Sequence, residues 1–226
     1  MNYAVLGTGM VGQTLAEKLV DLRHDVMMGS RTADNKNAQT WLERVGRHGK
    51  IGTFGDAASY GEVLLNCTSG TASLDALRSV DRSDLAGKVL IDVANPLDFS
   101  HGMSPTLAIC NTDSLGESIQ REFPDARVVK ALNTCNCRVM VDPSRVKGDH
   151  DVFVCGNDDA AKEQVKSLLS DFGWRSIIDL GDITNARATE QLLPIWLSLS
   201  RVYGTYDFNF RIARAPNSKQ ERDHGS

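Results

Sequence analysis

The chain has no apolar stretch near the roughly 20 residues needed to cross a bilayer. Its apolar runs, such as Val63 to Leu65 and Val89 to Ile91, are strand-sized, so no membrane span is expected. The opening Met1-Asn2-Tyr3-Ala4-Val5-Leu6-Gly7 lacks a basic segment ahead of an apolar one and does not read as a signal peptide; a cytoplasmic protein is the expectation. Positive charge is not in excess. Twenty-five Lys and Arg stand against 29 Asp and Glu, a net −4, so neither nucleic acid nor an anionic surface is an expected partner. Cysteine is scarce and unpaired: the five, at 67, 110, 135, 137 and 155, have no framework spacing and read as free thiols. Cys135-Asn136-Cys137, with one intervening residue, matches neither a zinc knuckle nor a redox Cys-x-x-Cys motif. The five histidines form no His-x-x-x-His pair, so no metal site is expected. Internal repeats are absent too.

What is present is an ordinary globular composition, 41% hydrophobic and 24% charged over 226 residues, which fits one compact unit. Short apolar runs alternate with helical stripes, the pattern of a mostly parallel sheet covered by helices. Strands are expected at Tyr3 to Leu6, Asp25 to Gly29, Ile51 to Phe54, Val63 to Cys67, Val89 to Val93 and Val128 to Leu132. Val11, Leu15, Leu19 and Leu22 share one helical face, a second helix is read at Lys36 to Val45, and Ser114-Leu115-Gly116-Glu117 has capping-box spacing that starts a helix over 115–123. Beyond position 150 the pattern continues with a strand at Val152 to Cys155, a helix carrying Ala161, Val165, Leu168, Leu169 and Phe172, and a strand at Ser176 to Leu180. A helix from Ala186 to Tyr203, kinked or restarted at Pro194, is apolar enough for a subunit interface. The expected fold is therefore α/β, a Rossmann-type doubly wound sheet. Its domains are read as a dinucleotide-binding domain over 1–150, a small C-terminal α/β and helical extension over 151–213, and a polar, disordered tail over 214–226.

Gly7-Thr8-Gly9-Met10-Val11-Gly12 has the G-x-G-x-x-G form, directly after a strand and opening an amphipathic helix. In that context the first glycine permits a tight turn, the second admits backbone to a pyrophosphate, and the third lets helix pack on strand, with helix amides facing the phosphate charge. The choice of dinucleotide falls at the end of the second strand. An acidic residue there would accept the ribose 2′-hydroxyl of NAD, but the sequence reads Gly29-Ser30-Arg31-Thr32, with a planar cation flanked by hydroxyls. NADP(H) is the expected cofactor, held by Gly7, Thr8, Gly9, Met10, Val11 and Gly12 and by Ser30, Arg31, Thr32 and Lys36. Other strand ends carry small polar groups where open α/β sheets bind ligands: Cys67, Thr68 and Ser69, then Asn95, then Asn133.

Gly7 to Gly12, Gly29-Ser30-Arg31, Val128-Val129-Lys130-Ala131-Leu132-Asn133-Thr134 and Val154-Cys155-Gly156-Asn157-Asp158 together resemble the NADP oxidoreductases dependent on the deazaflavin coenzyme F420, in order from about residue 1 to 212. The resemblance implies hydride exchange between NADPH and a planar small-molecule acceptor, with deazaflavin as the acceptor, and a homodimer formed through the C-terminal helix. It departs at Asn133 and near Cys135, where the family can carry a histidine and a bulky aliphatic residue. Hydride transfer asks little acid or base of the protein, so Asn133 is expected in a positioning role. Two alternatives stay open: an imine reductase of the pyrroline-5-carboxylate reductase type, normally with a long all-helical C-terminal domain, and a non-catalytic NADP(H)-binding sensor.

Overall fold

The computed structural model describes residues 1–102 and 105–215; of the tail read at 214–226, residues 216–226 lie outside the described residues. The strands are β1 (Asn2–Leu6), β2 (Asp25–Ser30), β3 (Gly49–Thr53), β4 (Val63–Asn66), β5 (Val89–Asp92), β6 (Leu97–Asp98), β7 (Thr106–Leu107), β8 (Arg127–Ala131), β9 (Val152–Gly156) and β10 (Ile177–Asp179). The helices are α1 (Met10–Asp21), α2 (Lys36–Val45), α3 (Phe54–Tyr60), α4 (Ser73–Arg78), α5 (Arg82–Leu85), α6 (Leu115–Glu122), α7 (Cys137–Val141), α8 (Asp159–Asp171), α9 (Ala186–Gln191) and α10 (Leu193–Tyr203). Among these no helix is long and apolar enough to cross a membrane.

Eight strands form one sheet in the order β10-β9-β8-β5-β4-β1-β2-β3, and β6 pairs with β7 apart from it. From β3 to β8 every neighbouring pair is parallel; β9 runs antiparallel to β8, and β10 parallel to β9. The expected doubly wound, mostly parallel sheet is what forms, and β9 and β10 extend it. Chain order reverses between β1 and β4, which opens a crevice at the carboxyl ends of the strands.

Both faces of the sheet are buried, and this explains the near-continuous apolar strands. On one face Val5, Leu65, Ile91 and Val129 pack with Leu15 and Leu19 of α1, Trp41 of α2, Met140 of α7 and Val165 of α8. On the other, Leu6, Leu64, Leu90 and Val128 meet Ala57 of α3, Leu77 of α4 and Ile119 of α6. Leu15 and Leu19 are wholly buried four residues apart, as the stripe requires. Truncating either to alanine would cost about 2–5 kcal/mol.

Several local expectations are corrected. Phe54 does not end β3. It opens α3, because Thr53 and Asp56 form a reciprocal capping box. The box at Ser114 is only half made: Ser114 Oγ accepts from the Glu117 amide at 3.1 Å, while the Glu117 carboxylate takes Arg187 Nε at 2.7 Å and so ties α6 to α9. Pro194 restarts the C-terminal helix. It sits in the first turn of α10, where its missing N–H has no intrahelical partner to lose.

Candidate functional site

The turn after β1 is shaped by two glycines that admit no side chain. Gly7 has φ +120°, and a Cβ there would lie 2.5 Å from the Cys67 carbonyl oxygen; at Gly12 it would lie 2.2 Å from the Gly7 carbonyl oxygen. Gly9 is different, with an ordinary φ of −75° and nothing within 4 Å of a Cβ. It caps α1 with no side-chain acceptor, so the first amides of the helix face open space beside Gly9. A site of uncompensated N–H dipoles with no Cβ in the way fits a pyrophosphate.

At the end of β2, buried Ser30 donates through Oγ to the Thr32 carbonyl at 2.5 Å, which folds the turn under Arg31. The exposed Arg31 guanidinium makes no hydrogen bond or ion pair among the described residues. Asn35 caps α2 by accepting from the Ala38 amide at 3.1 Å, and Lys36 is the exposed first residue of that helix. Two cations and two hydroxyl residues thus share one loop beside the glycine turn.

Along the carboxyl edge lies a cavity of about 320 Å³, lined by Met10 and Val11 of α1, by Cys67, Thr68 and Ser69 after β4, by Asn95 after β5 and by Asn133 after β8. Asn95 and Asn133 are locked to each other. Asn95 Nδ2 donates to the Asn133 carbonyl at 2.8 Å, and Asn133 Nδ2 donates to Asn95 Oδ1 at 3.0 Å. The chain reaches Asn133 through Leu132 at φ +65°, a left-handed conformation unfavourable for a side chain with a Cβ. Thr68 Oγ1 donates to Asn66 Oδ1 at 2.7 Å, and the wholly buried Asn66 reaches Asp92 at 2.9 Å.

Three of the thiols are held toward the protonated form. Burial pushes the Cys67 and Cys135 thiols well up, and Cys155 is pushed up to about 12, also by burial first. A protonated thiol is neither a nucleophile nor a redox partner.

Of the residues expected at the site, Met10, Val11, Cys67, Thr68, Ser69, Asn95 and Asn133 line the cavity, with Gly7, Thr8, Gly9 and Gly12 in the adjoining turn. Ser30, Arg31, Thr32 and Lys36 do not line it; they stand at the β2 end. The sequence reading missed Phe99, Leu193 and Trp196 as site residues; they line the cavity, as does Gly70 at the end of the Cys67-Thr68-Ser69-Gly70 segment. Gly70 carries a readable signal, since its Cβ would fall 2.0 Å from the Asn95 carbonyl oxygen and Ser-Gly sits at a strand end. Trp196 stacks on Tyr206 and Phe208, at 5.7 and 5.4 Å between ring centroids, and its Nε1 is buried without a partner among the described residues.

Residues 2–96 match the family described as NADP oxidoreductase coenzyme F420-dependent. The chain is 30% identical over 227 residues to the F420-dependent NADP reductase of Methanothermobacter marburgensis, covering 96% of this chain and 100% of that one. It is 28% identical over 221 residues to the enzyme of the same name from Methanocaldococcus jannaschii, covering 94% and 98%. A solved structure from Arthrobacter sp. FB24, provisionally described as an F420-dependent NADP-reductase, is 52% identical, with a TM-score of 0.90 over 95% of this chain and 100% of that one. The fold is thus shared with a solved structure over nearly the whole chain, and the chain belongs to the coenzyme F420-dependent NADP oxidoreductase family.

Proposed function

We propose that the protein is an NADP(H)-dependent oxidoreductase that exchanges a hydride between NADPH and a planar acceptor, with deazaflavin coenzyme F420 as the acceptor class. The observation that carries this reading is the presence of three features at the carboxyl ends of the strands: an open α1 N-terminus without a side-chain cap at Gly9, a guanidinium at Arg31 with no partner among the described residues, and a cavity floored by the Asn95–Asn133 pair. Gly7, Thr8, Gly9, Met10, Val11 and Gly12 would hold the pyrophosphate; Arg31, with Ser30, Thr32 and Lys36, would hold the 2′-phosphate. NADPH, when bound, supplies the hydride.

The chain's own residues then bind, orient and exclude water. Asn133, 2% exposed and fixed by Asn95, positions the carboxamide end, while Ser69 and Thr68 offer hydroxyls at the cavity wall. Phe99, Leu193 and Trp196 give a flat, apolar side suited to a ring system stacking across from the nicotinamide. Exposed Ile195, Val202 and Tyr203 on α10 support pairing with a second copy of the chain. Stopped-flow oxidation of NADPH with F420, free flavins and ferric chelates tests the reading: fast turnover with F420 is expected. NADPH binding with no turnover on any acceptor would favour the sensor.

A further inference from the structure

A buried charge network lies beneath the cavity, built from groups no step above uses. Lys130, 1% exposed, projects from β8; its Nζ is 2.8 Å from Asp92 Oδ2 on β5 and 2.8 Å from Glu190 Oε1 on α9. The same ammonium donates to the Ala94 carbonyl at 2.5 Å, one residue before Asn95. Glu190, itself 1% exposed, accepts from the Leu115 and Gly116 amides at 2.9 and 3.1 Å, at the first turn of α6. Asp92 in turn holds Asn66 at 2.9 Å, and Asn66 holds Thr68.

The formal charges leave one carboxylate in excess. One ammonium faces two carboxylates, and the N-terminal amides of α6 meet the second carboxylate with the favourable end of their dipole. Burial pulls the Lys130 ammonium toward deprotonation, but the Asp92 and Glu190 charges outweigh it and its pKa stands raised. Burial, the largest influence on Glu190, raises its pKa despite the opposing charge of Lys130. A hydrophobic core would stabilise the fold as well as such a cluster does, so stability alone does not explain it. What the cluster does is geometric. A single Nζ fixes the Ala94 carbonyl ahead of Asn95, reaches Thr68 through Asp92 and Asn66, and anchors α9, which leads directly into Leu193 and Trp196 of α10.

The structure assigns to Lys130 the role of positioning residue for the nicotinamide end of the cleft, acting through Ala94, Asp92 and Glu190. This rests on the proposed NADP(H) site. Its test therefore separates the two ends of the cofactor. Lys130→Met is expected to keep parental affinity for 2′,5′-ADP, which probes only the Arg31 end. Single-turnover hydride transfer from NADPH should fall roughly 10- to 100-fold, the scale of a misplaced reacting group. The fluorescence of bound NADPH, read with no acceptor present, should shift as the nicotinamide loses its fixed surroundings. Glu190→Gln keeps the size of the side chain and should show the same split more weakly, roughly 3- to 10-fold in transfer rate; it carries the test if Lys130→Met does not fold. Parental transfer rate and parental emission in a folded variant would overturn the assignment. So would equal losses of 2′,5′-ADP affinity and transfer rate, which mark a general loosening. A parent protein that binds no NADPH is a different result and fails the site reading itself.

Discussion

The glycine turn and the Arg31 loop come from one contiguous stretch, β1–α1–β2, whereas the other end of the cleft is assembled from the ends of β4, β5 and β8 and from α10. Apart from the Cys67 carbonyl that crowds Gly7, the first end is built within its own unit. Gly7 turns, Gly12 lets α1 approach, and Gly9 leaves its amides open, all within one strand-turn-helix unit. The second end depends on tertiary placement: Asn95 and Asn133 meet only because β5 and β8 are neighbours, and the Trp196 wall arrives from a helix packed beyond α9. On the proposed reading, the local unit would hold the dinucleotide and the assembled one would choose the acceptor.

The largest expected effect tests the local end. Gly9→Val should fold normally, because a Cβ there meets nothing within 4 Å and the φ of −75° suits any residue, yet it puts a side chain where the pyrophosphate belongs. Loss of NADPH and NADH binding by about 100-fold or more is expected by fluorescence titration, the scale of several lost charge-assisted hydrogen bonds. Gly12→Ala makes the contrast. Its Cβ would fall 2.2 Å from a backbone oxygen, so the expected result is about 1–3 kcal/mol of lost stability by denaturant titration. If Gly9→Val binds normally, the turn is structural only.

Next in size is Arg31→Ala. Removing a charge-assisted contact to the 2′-phosphate costs about 1.5–3 kcal/mol, so NADPH should weaken by roughly 10- to 100-fold while NADH hardly changes. Equal losses for both cofactors would detach Arg31 from the phosphate. The assembled end should answer in the opposite way: Asn133→Leu removes the side-chain bond to Asn95 Oδ1 and leaves the phosphate contacts, so turnover should fall roughly 10-fold with little change in NADPH affinity. A variant that turns over at the parental rate with every acceptor would remove Asn133 from the chemistry.

The same contrast explains what could be read from the sequence. Strand, turn and helix at the N-terminus are written in neighbouring residues, and the helix expected around Lys36 to Val45 forms there, capped by Asn35. α3, α4 and α7 are short, and their buried positions are too few to show a period. Gly70, Phe99 and Trp196 reach the cavity from segments whose own pattern says only turn, hairpin or helix. The buried charges did leave a trace: Asp92 and Lys130 each interrupt an apolar strand that is covered on both faces, and a charge in such a strand needs a partner. What the sequence does not say is which partner, since Glu190 comes from a helix 60 residues further on.

The smallest expected effect concerns the scaffold under the assembled end. Asp113 precedes α6, the helix that holds Glu190, and its carboxylate takes both Arg121 amino groups, at 2.8 and 2.6 Å, together with the Ser114 amide at 2.9 Å. Arg121 is the main reason the Asp113 carboxyl lies below the usual aspartate range. The folded protein therefore takes up this proton less readily than the unfolded chain does, and the contribution is complete above the ordinary aspartate pKa of about 3.9 and fades as the pH falls through and below it. Because 35% of the Asp113 and 60% of the Arg121 side chain are exposed, solvent screening limits the pair to under about 1 kcal/mol. Asp113→Asn should accordingly lower the thermal midpoint slightly at pH 7, and the difference from the parent should shrink as the pH falls below about 3.9. A difference from the parent that stays constant between pH 7 and pH 3 would show that the loss is steric or capping in origin, and that the ion pair adds nothing to the support of α6.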